Sequence, residues 1–322
     1  MGKLFSYRNR PVHLGAYPME TLARQASAEG LEAIPAQGQT AFRRPGAPLS
    51  IVNAMRDYQA MLDATREGMV KRERAEIPRD VQERTNHLKA FGYFCDASIV
   101  GAGAVPQSAW LDTPLANPDV DALADALRSK QTKTFASGID AVMATLRETM
   151  DAPPASCRHH DNALVFLYEF PRDPEPDEPG TDWLEDAQDQ RACLRAAETV
   201  VTLASYIRLL GWEARAHTGA ATDANLAQLA VQAGLATFED GALVNPFLGS
   251  RFGIAAVTTT LELAHDLPLV PGQKPRFGYR YGLGRHAKSA ASRDPFAKRR
   301  FADGPHPFET LKRVEDPTTY ID

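Results

Sequence analysis

Cysteine is scarce in this chain: Cys95, Cys157 and Cys193 are the three it has in 322 residues. No two stand in a CxxC spacing, and an odd number cannot be fully paired within one chain. Three reduced thiols are the expectation. A cubane iron–sulfur cluster usually takes four thiolates in a tight run such as CxxCxxCxxxCP, so these residues cannot hold one. Long apolar runs are also missing. None approaches the roughly 18–20 residues that span a bilayer, so no membrane partner is expected. Positive charge is not in excess either: 36 Lys and Arg stand against 41 Asp and Glu, for a formal net charge of −5. Such a chain exerts no whole-molecule attraction on nucleic acid or anionic membranes. The opening MGKLFSYRNRPVHLG has neither the apolar core of a signal peptide nor a twin-arginine pair. A cytoplasmic location follows as an expectation.

What is present suits a globular fold. Hydrophobic residues make up 43% of the chain, enough for one large domain or two smaller ones. Residues 1–50 are rich in Pro, Gly, Arg and Gln and read as an extended wrap. A core domain is expected over 51–271 and a basic, irregular tail or linker over 272–322. Ile51 to Arg74 has helical apolar spacing. Pro78 is expected to open a second helix that runs to Phe91 and is ended by Gly92. A strand is expected from Tyr93 to Pro106. Its Gly101 and Gly103 form a lone GxG, which suits close helix packing better than phosphate binding. Asp119 to Arg128 and Ile139 to Met150 read as helices, with Asp140 suiting the helix dipole.

His159 and His160 precede a strand at Ala163–Tyr168. Adjacent residues of a strand face opposite ways, so the pair is read as strand-edge polar residues and no metal site is expected. The run from Asp173 to Gly180 is an acidic, proline-rich loop. The clearest element is a long helix from about Gln188 to Leu210, with an apolar stripe of Ala196, Val200, Leu203, Ala204 and Ile207. Gly211 is expected to cap it. Thr222 or Asp223 is expected to cap a further helix burying Leu226, Leu229 and Ala230 and ending at Gly234. Phe252 to Val257 has the continuous apolar character of a central strand.

The phrase Tyr206-Ile207-Arg208-Leu209-Leu210-Gly211-Trp212 resembles the "IRxLGY" helix end of reductive dehalogenases. Asn245-Pro246-Phe247-Leu248-Gly249-Ser250-Arg251 resembles their "PEYGPRxR". Ala255-Ala256-Val257-Thr258-Thr259 with Asp266-Leu267-Pro268-Leu269 resembles their "VxTDLPL". Arg10-Pro11-Val12-His13-Leu14-Gly15 and His87-Leu88-Lys89-Ala90-Phe91-Gly92-Tyr93 are similar to the catabolic, oxygen-tolerant branch. The likeness touches most of the chain up to about Leu269, and epoxyqueuosine reductases are similar in the same core.

That resemblance implies an α/β (α+β) fold, a nitroreductase-like sheet flanked by helices. It implies cobalamin beside iron–sulfur clusters, with reduced cobalt attacking halogen or carbon while the protein positions, protonates and supplies electrons. Arg251 is then a candidate to stabilise a leaving anion, with Gly249 and Ser250 as candidate cofactor contacts, and Tyr206 is a candidate proton donor. There are departures. The second arginine of the turn phrase is replaced by Gly253, and Leu261–His265 is inserted ahead of Asp266. No cluster cysteines follow. The chain is thereby similar to the degenerate N-terminal copy in oxygen-tolerant dehalogenases. Its implied partner is an iron–sulfur catalytic half, in the same or another chain, and a homodimer is admitted. Two alternatives stay open: a cobalamin-binding subunit fed electrons by a separate iron–sulfur protein, and a flavin-binding nitroreductase relative.

Overall fold

The structure is a computed structural model and describes residues 10–37, 44, 46–47, 49–122, 155–172, 174–184 and 187–276. The helix expected at Ile139–Met150, most of the Asp119–Arg128 helix and nearly all of the basic tail lie outside the described residues. Among the described residues, four strands form one antiparallel sheet in the order β1 (Ile99–Ala104), β3 (Asn162–Glu169), β8 (Phe252–Thr259), β4 (Ala214–His217). β8 is interior, as its unbroken apolar run predicts. Two short pairs accompany the sheet: β2 (Trp110–Leu115) with β5 (Thr222–Ala224), and β6 (Thr237–Glu239) with β7 (Ala242–Val244).

Alternation along the strands divides the core in two. Val165, Leu167, Ile254 and Ala256 face one apolar cluster, shared with α5 (Leu226–Gln232) and with Tyr17, Met19, Leu22 and Ile34 of the N-terminal segment. Leu164, Phe166, Ala255 and Val257 face the other, shared with α2 (Val81–Phe94) and α4 (Gln188–Leu209). Every residue of the predicted α4 stripe is buried. Burial of each large aliphatic or aromatic side chain contributes about 1.5–3 kcal/mol. α1 (Ile51–Asp63) packs on α4, and the four-residue turn of α3 (Thr181–Leu184) follows the proline-rich loop.

Several boundaries differ from the sequence expectation. α1 stops at Asp63 rather than Arg74. The chain beyond it crosses to the end of α4, where Lys71 N–H donates to the Arg208 carbonyl and Ala75 N–H to that of Leu210. α2 starts after Asp80, whose carboxylate accepts from Gln82 N–H at 2.9 Å, and runs through Gly92. A Cβ at Gly92 would lie 2.6 Å from the Phe166 ring and 2.9 Å from Val100, so this glycine serves close helix–sheet approach and is no cap. Tyr93 and Phe94 are therefore helical, and the strand begins only at Ile99. Gly101 and Gly103 do lie against a helix end: a Cβ on Gly101 would meet Ala233 O at 2.7 Å. α5 is capped by Asn225, which accepts from Ala227 and Gln228 N–H, because Thr222 and Asp223 are taken up in β5.

Candidate functional site

Several polar residues of the family-like phrases are bonded inside the fold. Arg10 donates to the Gly15 carbonyl at 2.6 Å, to Leu14 O and Tyr17 O, and pairs with Glu20. Gly15 leaves room for the Tyr93 ring, which a Cβ would meet at 2.2 Å, so the two N-terminal phrases pack on each other. Arg208 is buried and donates to Ala214 O at 3.0 Å, tying α4 to β4. Asp266 accepts from Lys89 Nζ at 2.6 and 2.7 Å and from Ala102 N–H at 2.8 Å, while its own N–H returns to Ala102 O. The insertion ahead of Asp266 thus leaves it clamping α2 to β1.

Asn245 holds the turn phrase. It is 0% exposed; Oδ1 accepts from Phe247 and Leu248 N–H at 2.8 and 3.1 Å, and Nδ2 donates to Leu235 O at 2.6 Å. A backbone bridge between Asn245 and Gly249 closes the loop, with Gly249 at φ +66°. Asn245→Ala removes an acceptor from two buried amides and a donor from a buried carbonyl. A loss of about 2 kcal/mol in urea unfolding is the expected outcome.

The sequence-derived candidates do not converge. Arg251 is exposed, and its carbonyl accepts from Phe170 N–H at 3.1 Å at the start of β8. Gly249 and Ser250 form the turn before it. Tyr206 is 45% exposed on the outer face of α4 and stacks on Phe91 with ring centroids 6.4 Å apart. Ala192, on the same helix, packs against Gly253. Fourteen residues of α-helix separate Ala192 from Tyr206, or about 21 Å at 1.5 Å per residue. Tyr206 and the Gly249–Arg251 turn therefore sit toward opposite ends of α4.

A different set of residues does converge, in a buried polar belt between α1, β4, β5 and β8. Asp63 accepts from Thr218 Oγ1 at 2.7 Å, Asn117 Nδ2 at 2.8 Å and Gln59 Nε2 at 3.1 Å. Burial raises its carboxyl above the usual range, and those three donors oppose the shift. His217 is fully buried, and its Nδ1 lies 3.2 Å from Asp223 N–H, which can only donate. The ring proton is thus on Nε2, donating to Thr258 Oγ1 at 2.8 Å. His160 Nδ1 approaches the same hydroxyl at 2.9 Å. Burial pushes His217 down to about 3, with Asp223 opposing, and burial and the neighbouring His159 push His160 down to about 4. Burial alone raises the Asp223 carboxyl; Arg66, His217 and Arg215 outweigh it and hold it below the usual range. Arg66 reaches Asp223 at 2.6 Å, and Arg215 pairs with both Asp223 and Glu67. Burial pushes the Cys157 thiol up to about 11, so it is protonated at neutral pH.

The belt opens on a cleft of about 280 Å³ lined by Glu67, Cys157, His160, Arg208, Glu213 and Arg215. Sequence reading names Cys157, His160 and Arg208 for other reasons and passes over Glu67, Glu213 and Arg215. A signal was present in Ala214-Arg215-Ala216-His217, where charged and neutral residues alternate on a four-residue strand beside the apolar β8.

The fold is that of an α/β protein with an antiparallel sheet covered by helices. No family model matches the chain, and no curated protein matches it. Solved structures do. The catabolic reductive dehalogenase NpRdhA matches 98% of this chain at 30% identity and TM-score 0.66, with 39% of its own length covered. Its complex with 3-bromo-4-hydroxybenzoic acid matches 84% of this chain at 32% identity and TM-score 0.61, with 32% covered. A reductive dehalogenase structure described as suggesting a mechanism for B12-dependent dehalogenation gives TM-score 0.66 and 30% identity, over 98% of this chain and 39% of that one. The chain is similar to reductive dehalogenases in fold and sequence and spans about two fifths of the length of those relatives.

Two cavities among the described residues bear on the fit of a corrinoid. The cleft beside the polar belt is smaller than the pockets of about 300–1,000 Å³ that hold drug-sized ligands, and a corrinoid is larger than those. A hollow of about 590 Å³ is lined by Ile51, Met55, Pro171, Leu184 and Leu194 among others. Among the described residues, neither of these two cavities contains Tyr206 or the Gly249–Arg251 turn, and each is small for a corrinoid.

Proposed function

We propose that this chain is a non-catalytic, cobalamin-domain-like module of a reductive dehalogenase system, serving as scaffold for an iron–sulfur-containing catalytic half that acts on halogenated aromatics. One observation carries the reading: the family phrases persist, yet Asn245, Arg208 and Asp266 within them are spent on holding the fold. Asn245, Arg208 and Asp266 each bond backbone groups of the chain itself. The scarcity of cysteine agrees, since three thiols do not make a cubane and a buried cobalt needs an electron donor.

Activity tests this directly. The purified chain, given a corrinoid, a strong chemical reductant and a halophenol, is expected to release no more halide than the same mixture without protein. Protein-dependent halide release contradicts the proposal and favours a cobalamin-binding subunit fed by a separate electron donor.

A further inference from the structure

We infer that His159, His160 and Glu213 form a binding site for a zinc-class divalent cation, clipping the entry of β3 to the corner between α4 and β4. The sequence argument against the two histidines assumes that they lie on a strand. They do not: His159 falls in a turn and His160 just after it, two residues ahead of β3. Their rings stand edge to face with centroids 4.9 Å apart. His159 Nε2 lies 2.5 Å from Glu213 Oε2 and His160 Nε2 lies 3.7 Å from the same oxygen. All three ligand atoms fall within 4.8 Å of one another.

Those spacings are close to what a metal requires. Zn–N and Zn–O bonds of about 2.0–2.1 Å in a tetrahedron place ligand atoms about 3.3 Å apart. His159 must open from Glu213 by under an ångström and His160 must close by less. His159 and Glu213 are each 52% exposed and have room to make that adjustment. His160 is the buried anchor, and its orientation is fixed from behind. Its Nδ1 meets Thr258 Oγ1, a hydroxyl with lone pairs enough to accept from both His160 and His217. A ligating histidine held through its other nitrogen is the usual outer-sphere arrangement of metal sites. A surface ion pair explains the contact between His159 and Glu213. It does not explain why a buried imidazole turns its free nitrogen toward the same carboxylate.

A second cluster, Cys157 with His217 and Asp223, has similar spacing. It is the poorer site. Both nitrogens of His217 are engaged, and Arg66 and Arg215 already neutralise Asp223. Two imidazoles and one carboxylate favour zinc and its first-row neighbours over magnesium or calcium, and three protein ligands leave one position open.

The test uses the full chain, stripped with a chelator and titrated with Zn²⁺ by calorimetry and with Co²⁺ by visible absorption. The expected result is one ion per chain. His159→Gln and Glu213→Gln should each weaken Zn²⁺ at least tenfold with circular dichroism unchanged. Cys157→Ser should bind as the parent does, and the Co²⁺ complex should show tetrahedral bands without thiolate charge transfer. Failure of the parent chain to bind saturably overturns the inference. So does undiminished binding in either surface variant, or loss of binding in Cys157→Ser.

Discussion

Gly234→Ala is expected to destabilise the fold by about 3–5 kcal/mol, the largest single-residue effect predicted for this chain. Gly234 has φ +65°, which alanine adopts only under strain. A Cβ there would sit 2.2 Å from Leu267 O and 2.1 Å from Arg24 Nη1. The carbonyl belongs to the backbone and cannot swing aside. Arg24 Nη1 donates to Gly234 O at 2.8 Å and Leu267 O at 2.6 Å, so the methyl also expels the group that joins the N-terminal segment to α5 and the Asp266–Leu269 stretch. Gly241 is the control, with φ +80° and nothing within 4 Å of its virtual Cβ. Gly241→Ala isolates the dihedral cost, about 1 kcal/mol. Urea unfolding of the two variants checks the difference, and equal midpoints would refute the packing argument.

Acid is expected to unfold the chain well before its carboxylates titrate as a whole. His217 is neutral in the fold, pushed down to about 3, against an ordinary value of 6.5. A histidine with a depressed folded pKa favours folding above its unfolded value. Below pH 6.5 the unfolded chain takes up a proton that the fold refuses, and stability falls until the folded group itself titrates. By linkage, His217 alone removes about 3 kcal/mol between pH 6.5 and pH 4. Asp223 acts in the same direction further down: its carboxyl is held below 3.8, and its contribution is lost as pH falls through that depressed value. Asp63, raised by burial, opposes them, because protonating it in the fold is favourable. Unfolding free energies across pH 7 to pH 4 should show the decline, and His217→Gln should flatten it. A slope identical in the variant would place the acid sensitivity elsewhere.

Local pattern carried much of the fold. The stripe of α4 is a property of one segment, and so is the apolar run of β8; both were legible without tertiary knowledge. Features that depend on distant partners were not. Gly92 reads as a helix stop and is instead a contact surface for Phe166. Thr222 and Asp223 read as caps until β2 pairs with their segment. The histidine pair reads as divided between two faces because a turn looks like a strand end in sequence. The polar belt was the least legible part. Asp63 meets Thr218 across 155 residues and His160 reaches Thr258 across 98, separations that no spacing rule reports. Family resemblance pointed correctly to the relatives, while the candidates Tyr206 and Arg251 lie toward opposite ends of α4. The turn around Asn245 was legible as a motif, but its function as a hydrogen-bonded scaffold appears only once the partners of its side chain are known.

The central claim is that the family phrases here serve the fold and not a corrinoid. Equilibrium titration of the full chain with cobalamin, followed by absorbance, tests it most directly. The account predicts no saturable spectral change at micromolar protein and cobalamin. Tight one-to-one binding would contradict it.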